Sequence, residues 1–127
     1  MSWSHGVFHW NELMTWDVER ARRFYALTIG WTFEDHPMPD GKYWVARMGE
    51  RYVGGLFQLR KPEFVGVGEA WMPYLAVDDV DARAARATAA GAELMRPLFD
   101  VPMVGRIAML RQPGGAGIGW ITPADQD

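Results

Sequence analysis

Hydrophobic positions recur along the 127-residue chain with two alternating periods. From residue 8 to residue 16, apolar and polar side chains alternate, which predicts a strand with two unlike faces. Asp17 follows where a carboxylate can accept the free amides of a first helical turn. Val18, Ala21, Phe24, Tyr25 and Thr28 or Ile29 then fall at helical spacing on one apolar face, and Gly30 supplies a left-handed stop. Residues 31–34, 42–48 and 52–59 read as three more strands, with turns at Asp40-Gly41 and Gly49-Glu50. Residues 60–70, which include Pro62, Gly66 and Gly68, read as a connector. The order then recurs: a strand at 71–77, a cap at Asp79, a helix over 80–90 stopped by Gly91, and strands at 92–97, 106–111 and 117–122.

The recurrence extends to residue identity. Trp10-Asn11-Glu12-Leu13-Met14-Thr15-Trp16-Asp17-Val18 lies over Met72-Pro73-Tyr74-Leu75-Ala76-Val77-Asp78-Asp79-Val80 at an offset of 62, with Leu, Asp and Val repeated in place. The glycine stops Gly30 and Gly91 lie 61 apart, and Gly41 to Arg47 lies over Gly105 to Arg111 at 64, an offset that also places Gly55 on Gly119. A fixed internal period decides architecture before any single residue does. It predicts an α+β fold made of two βαβββ modules, about 6–60 and about 70–123, forming one domain over 1–127. Each module is a curved mixed sheet with its helix on the outer face.

Composition narrows the classes. With 49% hydrophobic residues the chain can fill a core, and a net charge of −3 without a basic block argues against a nucleic-acid partner. The absence of cysteine removes disulfides, thiolate nucleophiles and cysteine-based zinc sites. No apolar run is long enough to span a membrane and no signal peptide is visible, so the expectation is a cytoplasmic protein. Seven tryptophans, spread through the whole chain, are the unusual feature, because indole N–H groups need partners and favour interfaces and pockets. The run Gly114-Gly115-Ala116-Gly117-Ile118-Gly119 is not a phosphate loop, since no helix follows it.

The pattern Leu13-x-x-x-Asp17-x-x-x-Ala21-x-x-Phe24-Tyr25-x-x-x-x-Gly30-Trp31, with a second copy from Leu75 and Asp79 to Gly91-Ala92, resembles the vicinal oxygen chelate superfamily. This is the glyoxalase, bleomycin-resistance and extradiol-dioxygenase group. The opening Trp10-x-Glu12-Leu13-x-Thr15 is similar to a subgroup often found as tandem glyoxalase-like domains. The resemblance implies four metal-ligand positions, which fall here on Trp10, Gly55, Met72 and Gly119. None offers a nitrogen or charged oxygen ligand, so no metal and no cofactor is expected. His9 would enter only by a register slip that turns it to the helix side. The resemblance also implies a homodimer, since related single-domain chains combine four modules to close their cavities.

Period two places Trp10, Glu12, Met14 and Trp16 on one concave face, and Met72, Tyr74 and Ala76 on the other, with Phe57 and Ile121 flanking Gly55 and Gly119. The expected cavity between modules is lined by Trp10, Glu12, Met14, Gly55, Phe57, Met72, Tyr74, Gly119 and Ile121. Pockets of this apolar type use a few polar groups to orient a ligand. Glu12 is the candidate acid or base and Tyr74 the candidate hydrogen-bond donor. The structural alternative pairs Glu12 with Arg47 or Arg111. The expected function is metal-independent binding of a small aromatic or apolar molecule. A metal-free lyase or isomerase using Glu12 is the enzymatic alternative, and a metal-dependent glyoxalase or dioxygenase is the reading that the ligand positions disfavour.

Overall fold

A computed structural model describes residues 3–38, 41–60, 62 and 64–124. The predicted Asp40-Gly41 turn falls partly outside these residues at Asp40, as do connector positions Lys61 and Glu63. The chain divides into two compact units, Trp10–Met72 and a second formed by 1–9 with 73–127. The amino-terminal segment joins the second unit because Gly6 donates its N–H to the Ala76 carbonyl and His5 Nδ1 accepts the Asp78 N–H. The connector stays with the first unit. Trp16 Nε1 donates to the Val67 carbonyl, and Glu69 accepts from the Trp16 amide and from Arg20.

In the first unit the elements are β1 (Val7–Thr15, of which Trp10 onward belongs here), α1 (Val18–Thr28), β2 (Thr32–Met38), β3 (Gly41–Met48) and β4 (Arg51–Gln58). Their sheet order is β2-β3-β4-β1, antiparallel except that β1 runs parallel to β4. Asp17 caps α1, its carboxylate accepting the Arg20 amide at 3.0 Å. Leu13, Ala46 and Leu56 form the core under the helix, joined by Val18, Ala21 and Tyr25. The predicted apolar helix face is narrower than expected. Phe24 and Ile29 are exposed, and Leu27 is 86% exposed. The reason is lateral: Tyr25 stacks on Trp31, and Trp71 meets both rings edge-on while donating Nε1–H to the Tyr25 hydroxyl. Phe24 meets Tyr25 edge-on at the rim of this group, with ring centroids 4.9 Å apart.

The second unit contains β5 (Ala70–Ala76, of which Pro73 onward belongs here), α2 (Val80–Ala89), β6 (Glu93–Leu94), β7 (Phe99–Val101), β8 (Gly105–Arg111) and β9 (Gly117–Pro123). The order is β5-β9-β8-β6, with β7 also pairing β8, and β5 runs parallel to β9. Asp79 caps α2 by accepting the Ala82 amide. Alanines bring α2 close to the sheet, where Val77, Val80, Ala84, Ala87, Ala108 and Leu110 form the core. Of the strand expected over 92–97 only β6 forms, and a further short strand, β7, begins beyond Pro97, which has no amide hydrogen to donate to a ladder. Both units thus carry one helix on a mixed sheet, as the α+β reading required. Among the described residues no helix is long and apolar enough to cross a membrane.

Candidate functional site

Sheet register sorts the side chains of the first unit. Leu13, Ala46 and Leu56 lie against the helix, so the opposite parity carries the other face. Two cross-strand rows lie there: Glu12, Gly55, Val45 and Glu34, and beside it Met14, Phe57, Tyr43 and His36. Tyr43 leaves its own row and lays its hydroxyl over Gly55, so that a Cβ at that position would collide with the phenol oxygen. Gly55 is there for this close approach, the usual meaning of glycine inside a strand.

The phenol is held from two sides. Trp10 Nε1 donates to the Tyr43 hydroxyl at 2.9 Å, and the hydroxyl is hydrogen-bonded to Glu12. Burial pushes the Tyr43 hydroxyl well above the usual phenol range, and the neighbouring Glu12 charge adds to this. Tyr43 therefore keeps its proton and donates it to the carboxylate. Trp10, Glu12, Tyr43 and Phe57 are all partly exposed, while Met14 is 2% exposed and forms the floor. Phe64, from the connector, meets Phe57 edge-on at 5.5 Å and walls one end.

Further out on the same face is a second polar group. Glu34 accepts from Arg47 at 2.9 Å, contacts His36 Nε2 at 3.2 Å, and accepts from the Tyr52 hydroxyl at 3.3 Å. These contacts, that to His36 first, hold the exposed Glu34 carboxyl below its usual range. Arg47 is thus committed to Glu34, and Arg111 is exposed at the end of β8. Glu12 is hydrogen-bonded to Tyr43.

In the second unit the equivalent face is closed. Tyr74 pairs with Gly119 in parallel register, as Glu12 pairs with Gly55, so the two positions are structural counterparts. The Tyr74 ring lies on Gly119, leaving no room for a Cβ. Tyr74, Ala76, Ile107, Met109 and Ile121 are all buried, and so is Met72 on the same strand as Tyr74. Where the first unit has Tyr43, the offset of 64 places Ile107, and the chemistry of the partly exposed face belongs to one unit.

Of the predicted lining residues, Trp10, Glu12, Met14, Gly55 and Phe57 come together on the first unit, and Tyr74, Gly119 and Ile121 on the second. Tyr43 was missed. Its signal was the interior glycine at Gly55, which demands a large neighbour overhead, but no local pattern says which strand supplies it.

The residues do not fit the metal centre that the resemblance implies. Trp10 uses its only nitrogen as a donor to Tyr43, and Met72 offers only a buried thioether. At Gly55 and Gly119 a tyrosine stands where a ligand side chain would begin. Among the described residues no three of His, Cys, Asp and Glu gather to hold an ion.

This fold and these faces define a member of the vicinal oxygen chelate class. Solved structures with the same fold include methylmalonyl-CoA epimerase from Mycobacterium tuberculosis, at a TM-score of 0.63 and 16% identity, covering 98% of this chain and 94% of that one. Homoprotocatechuate 2,3-dioxygenase from B. fuscum matches at 0.59 and 18%, covering 95% of this chain and 34% of that one. Residues 10–118 match the glyoxalase-like domain, and the chain belongs to that family. It is 39% identical over 122 residues to the protein named "Putative glyoxylase CFP32" of Mycobacterium tuberculosis, covering 95% of this chain and 46% of the relative. It is 29% identical over 123 residues to "Anthracycline biosynthesis protein DnrV" of Streptomyces peucetius, covering 87% and 45%. The chain spans about half the length of these relatives.

Proposed function

We propose that the chain is a metal-independent small-molecule-binding protein of the glyoxalase-like family, and that its ligand rests on the aromatic face of the Trp10–Met72 unit. One observation carries this reading: the Tyr43 hydroxyl, seated on Gly55 between Glu12 and Trp10, occupies the place where a metal-ligating side chain would project. What remains is a partly exposed wall of Trp10 and Phe57 over the buried Met14, with the Glu12 carboxylate beside it. Such a surface binds by aromatic contact and orients by one polar group. The reading includes a cytoplasmic setting, which the cysteine-free composition supports. It also includes a homodimer. Strand β2 ends its sheet order, and Phe24, Leu27 and Ile29 of the first unit are exposed.

Elemental analysis and a ligand screen test it together. The purified protein should carry less than one equivalent of zinc, nickel, iron or manganese, and ligand quenching of tryptophan fluorescence should survive a chelator. One bound metal per chain, with quenching abolished by the chelator, would overturn the reading.

A second reading keeps the same face and adds chemistry, a metal-free lyase or isomerase in which Glu12 moves a proton on a carbonyl-bearing substrate. The hydrogen bond between Glu12 and Tyr43 favours Tyr43 over Tyr74 as the phenol of that reading, because the Tyr74 ring is packed on Gly119.

A further inference from the structure

We infer that Phe64 is the end stop of the ligand face and sets how far the apolar end of a bound molecule can reach. The inference rests on the proposed reading that this face holds a small molecule, and it adds the residue that fixes ligand length.

The face changes character along its strands. Trp10, Glu12, Tyr43 and Phe57 are partly exposed, and the polar groups among them gather at the Tyr43 hydroxyl. Strands β1 and β4 run parallel, so both lead to the same end. There the alternation reaches Met14 past Glu12 and Leu59 past Phe57, and both are buried. The ring that closes this end is Phe64. It meets Phe57 edge-on at 5.5 Å and is 5% exposed, whereas its described neighbours Pro62, Val65 and Gly66 face solvent. Hydrogen bonds hold the ring's backbone in place. The Phe64 N–H donates to the Arg60 carbonyl at 3.2 Å, and the Phe64 carbonyl accepts the Val67 N–H at 2.9 Å. The Val67 carbonyl in turn accepts Trp16 Nε1–H at 2.8 Å, and Glu69 accepts the Trp16 amide at 3.0 Å. Trp16 thus ties the connector to the end of β1 with both of its N–H groups. A ring fixed in this way is a stop and not a cushion. A ligand that ends short of it gains apolar contact, while a longer one must displace a packed side chain. The ligand class that follows carries a polar head on the Trp10 side and a short apolar end directed at Phe57 and Phe64.

A series of 4-alkylphenols, from 4-methylphenol to 4-heptylphenol, measures the reach. Binding to metal-free protein is followed by NMR at the Trp10 indole N–H, assigned with Trp10→Phe. Affinity should rise about fourfold per methylene while the chain ends short of the ring, and then stop rising. Phe64→Ala opens an apolar space that a longer chain can fill, so there the rise should continue for about two further methylenes. Phe64→Leu keeps most of the volume and should extend it by about one, which covers an alanine variant that does not fold. At the length where the wild-type rise stops, the terminal methyl of the ligand should show NOEs to the Phe64 ring. An unbroken rise through the heptyl compound would overturn the inference while leaving a metal-independent site standing. So would an unchanged stopping length in a folded Phe64 variant, or the absence of those NOEs. A response that appears only once zinc is added would overturn the underlying reading as well. Absence of any response with or without zinc would overturn the inference.

Discussion

Tyr43 concentrates the chemistry of the chain at one side chain. It spans from its own strand across Gly55, takes the Trp10 N–H, and gives its proton to Glu12. Its raised proton affinity has a consequence for stability. A phenol whose folded pKa lies above the ordinary value of 10.0 contributes stability that is complete below that pH and is lost as pH rises through the folded value. Urea unfolding from neutral pH to well above 10.0 should therefore show an alkaline loss in the wild type that Tyr43→Phe lacks. The variant itself should be about 1–2 kcal/mol less stable at neutral pH, because Trp10 and Glu12 each lose a partner. An identical alkaline profile in both proteins would show that Tyr43 is not the group responsible. Glu12 and Trp10 were legible in the sequence because period two on a single strand assigns them a face. Tyr43 was not, because its role depends on the order β3-β4-β1 and on a side chain crossing an intervening glycine.

At the level of elements, the duplicated pattern carried most of the fold. Offsets of 62 and 64 made Tyr74 the counterpart of Glu12 and Gly119 that of Gly55, and the registers pair Glu12 with Gly55 and Tyr74 with Gly119. Both helix starts were legible for a local reason, an aspartate whose carboxylate reaches an amide three residues on. The two caps are not equivalent. Asp17 has an ordinary negative φ of −146°, whereas Asp79 sits at φ 40° in the left-handed region. Asp17→Ala should cost about 1 kcal/mol, the loss of a cap alone. Asp79→Ala should cost about 2 kcal/mol, since alanine also tolerates that backbone poorly, and Asp79→Asn should be close to neutral. Urea midpoints of the three variants give the order, and equal losses for the two alanine variants would contradict it. The shortening of the 92–97 strand to β6 and the appearance of β7 after it were not legible. A Pro97 inside an apolar run says that pairing stops, but not where the chain rejoins the sheet.

For the whole molecule, the prediction concerns association. The apolar side chains on and after α1, with Leu27 at 86% exposure, are more than a solitary helix surface usually presents. A homodimer is the expected state, with a mass near twice 14.4 kDa by light scattering at micromolar concentration. Leu27→Lys should shift that mass toward the single chain if this surface forms the contact. A monomeric wild type would refute the dimer. Family membership was legible in the sequence, while ligand class was not, because a fold shared by an epimerase and a dioxygenase leaves chemistry to individual side chains.

The tyrosine rings over Gly55 and Gly119 also constrain what this chain can become. A glutamate at either glycine would restore a family-type ligand, yet its first carbon would run into Tyr43 or Tyr74. Neither ring can simply be removed first, since that opens a void beside a buried strand. Each step toward a metal centre is thus harmful without the other, and the two halves would have to make the exchange separately. The glycine–tyrosine pairs act as an evolutionary ratchet: a lineage that has filled these places with phenols must find new uses for the face within the chemistry that phenols, indoles and one carboxylate allow.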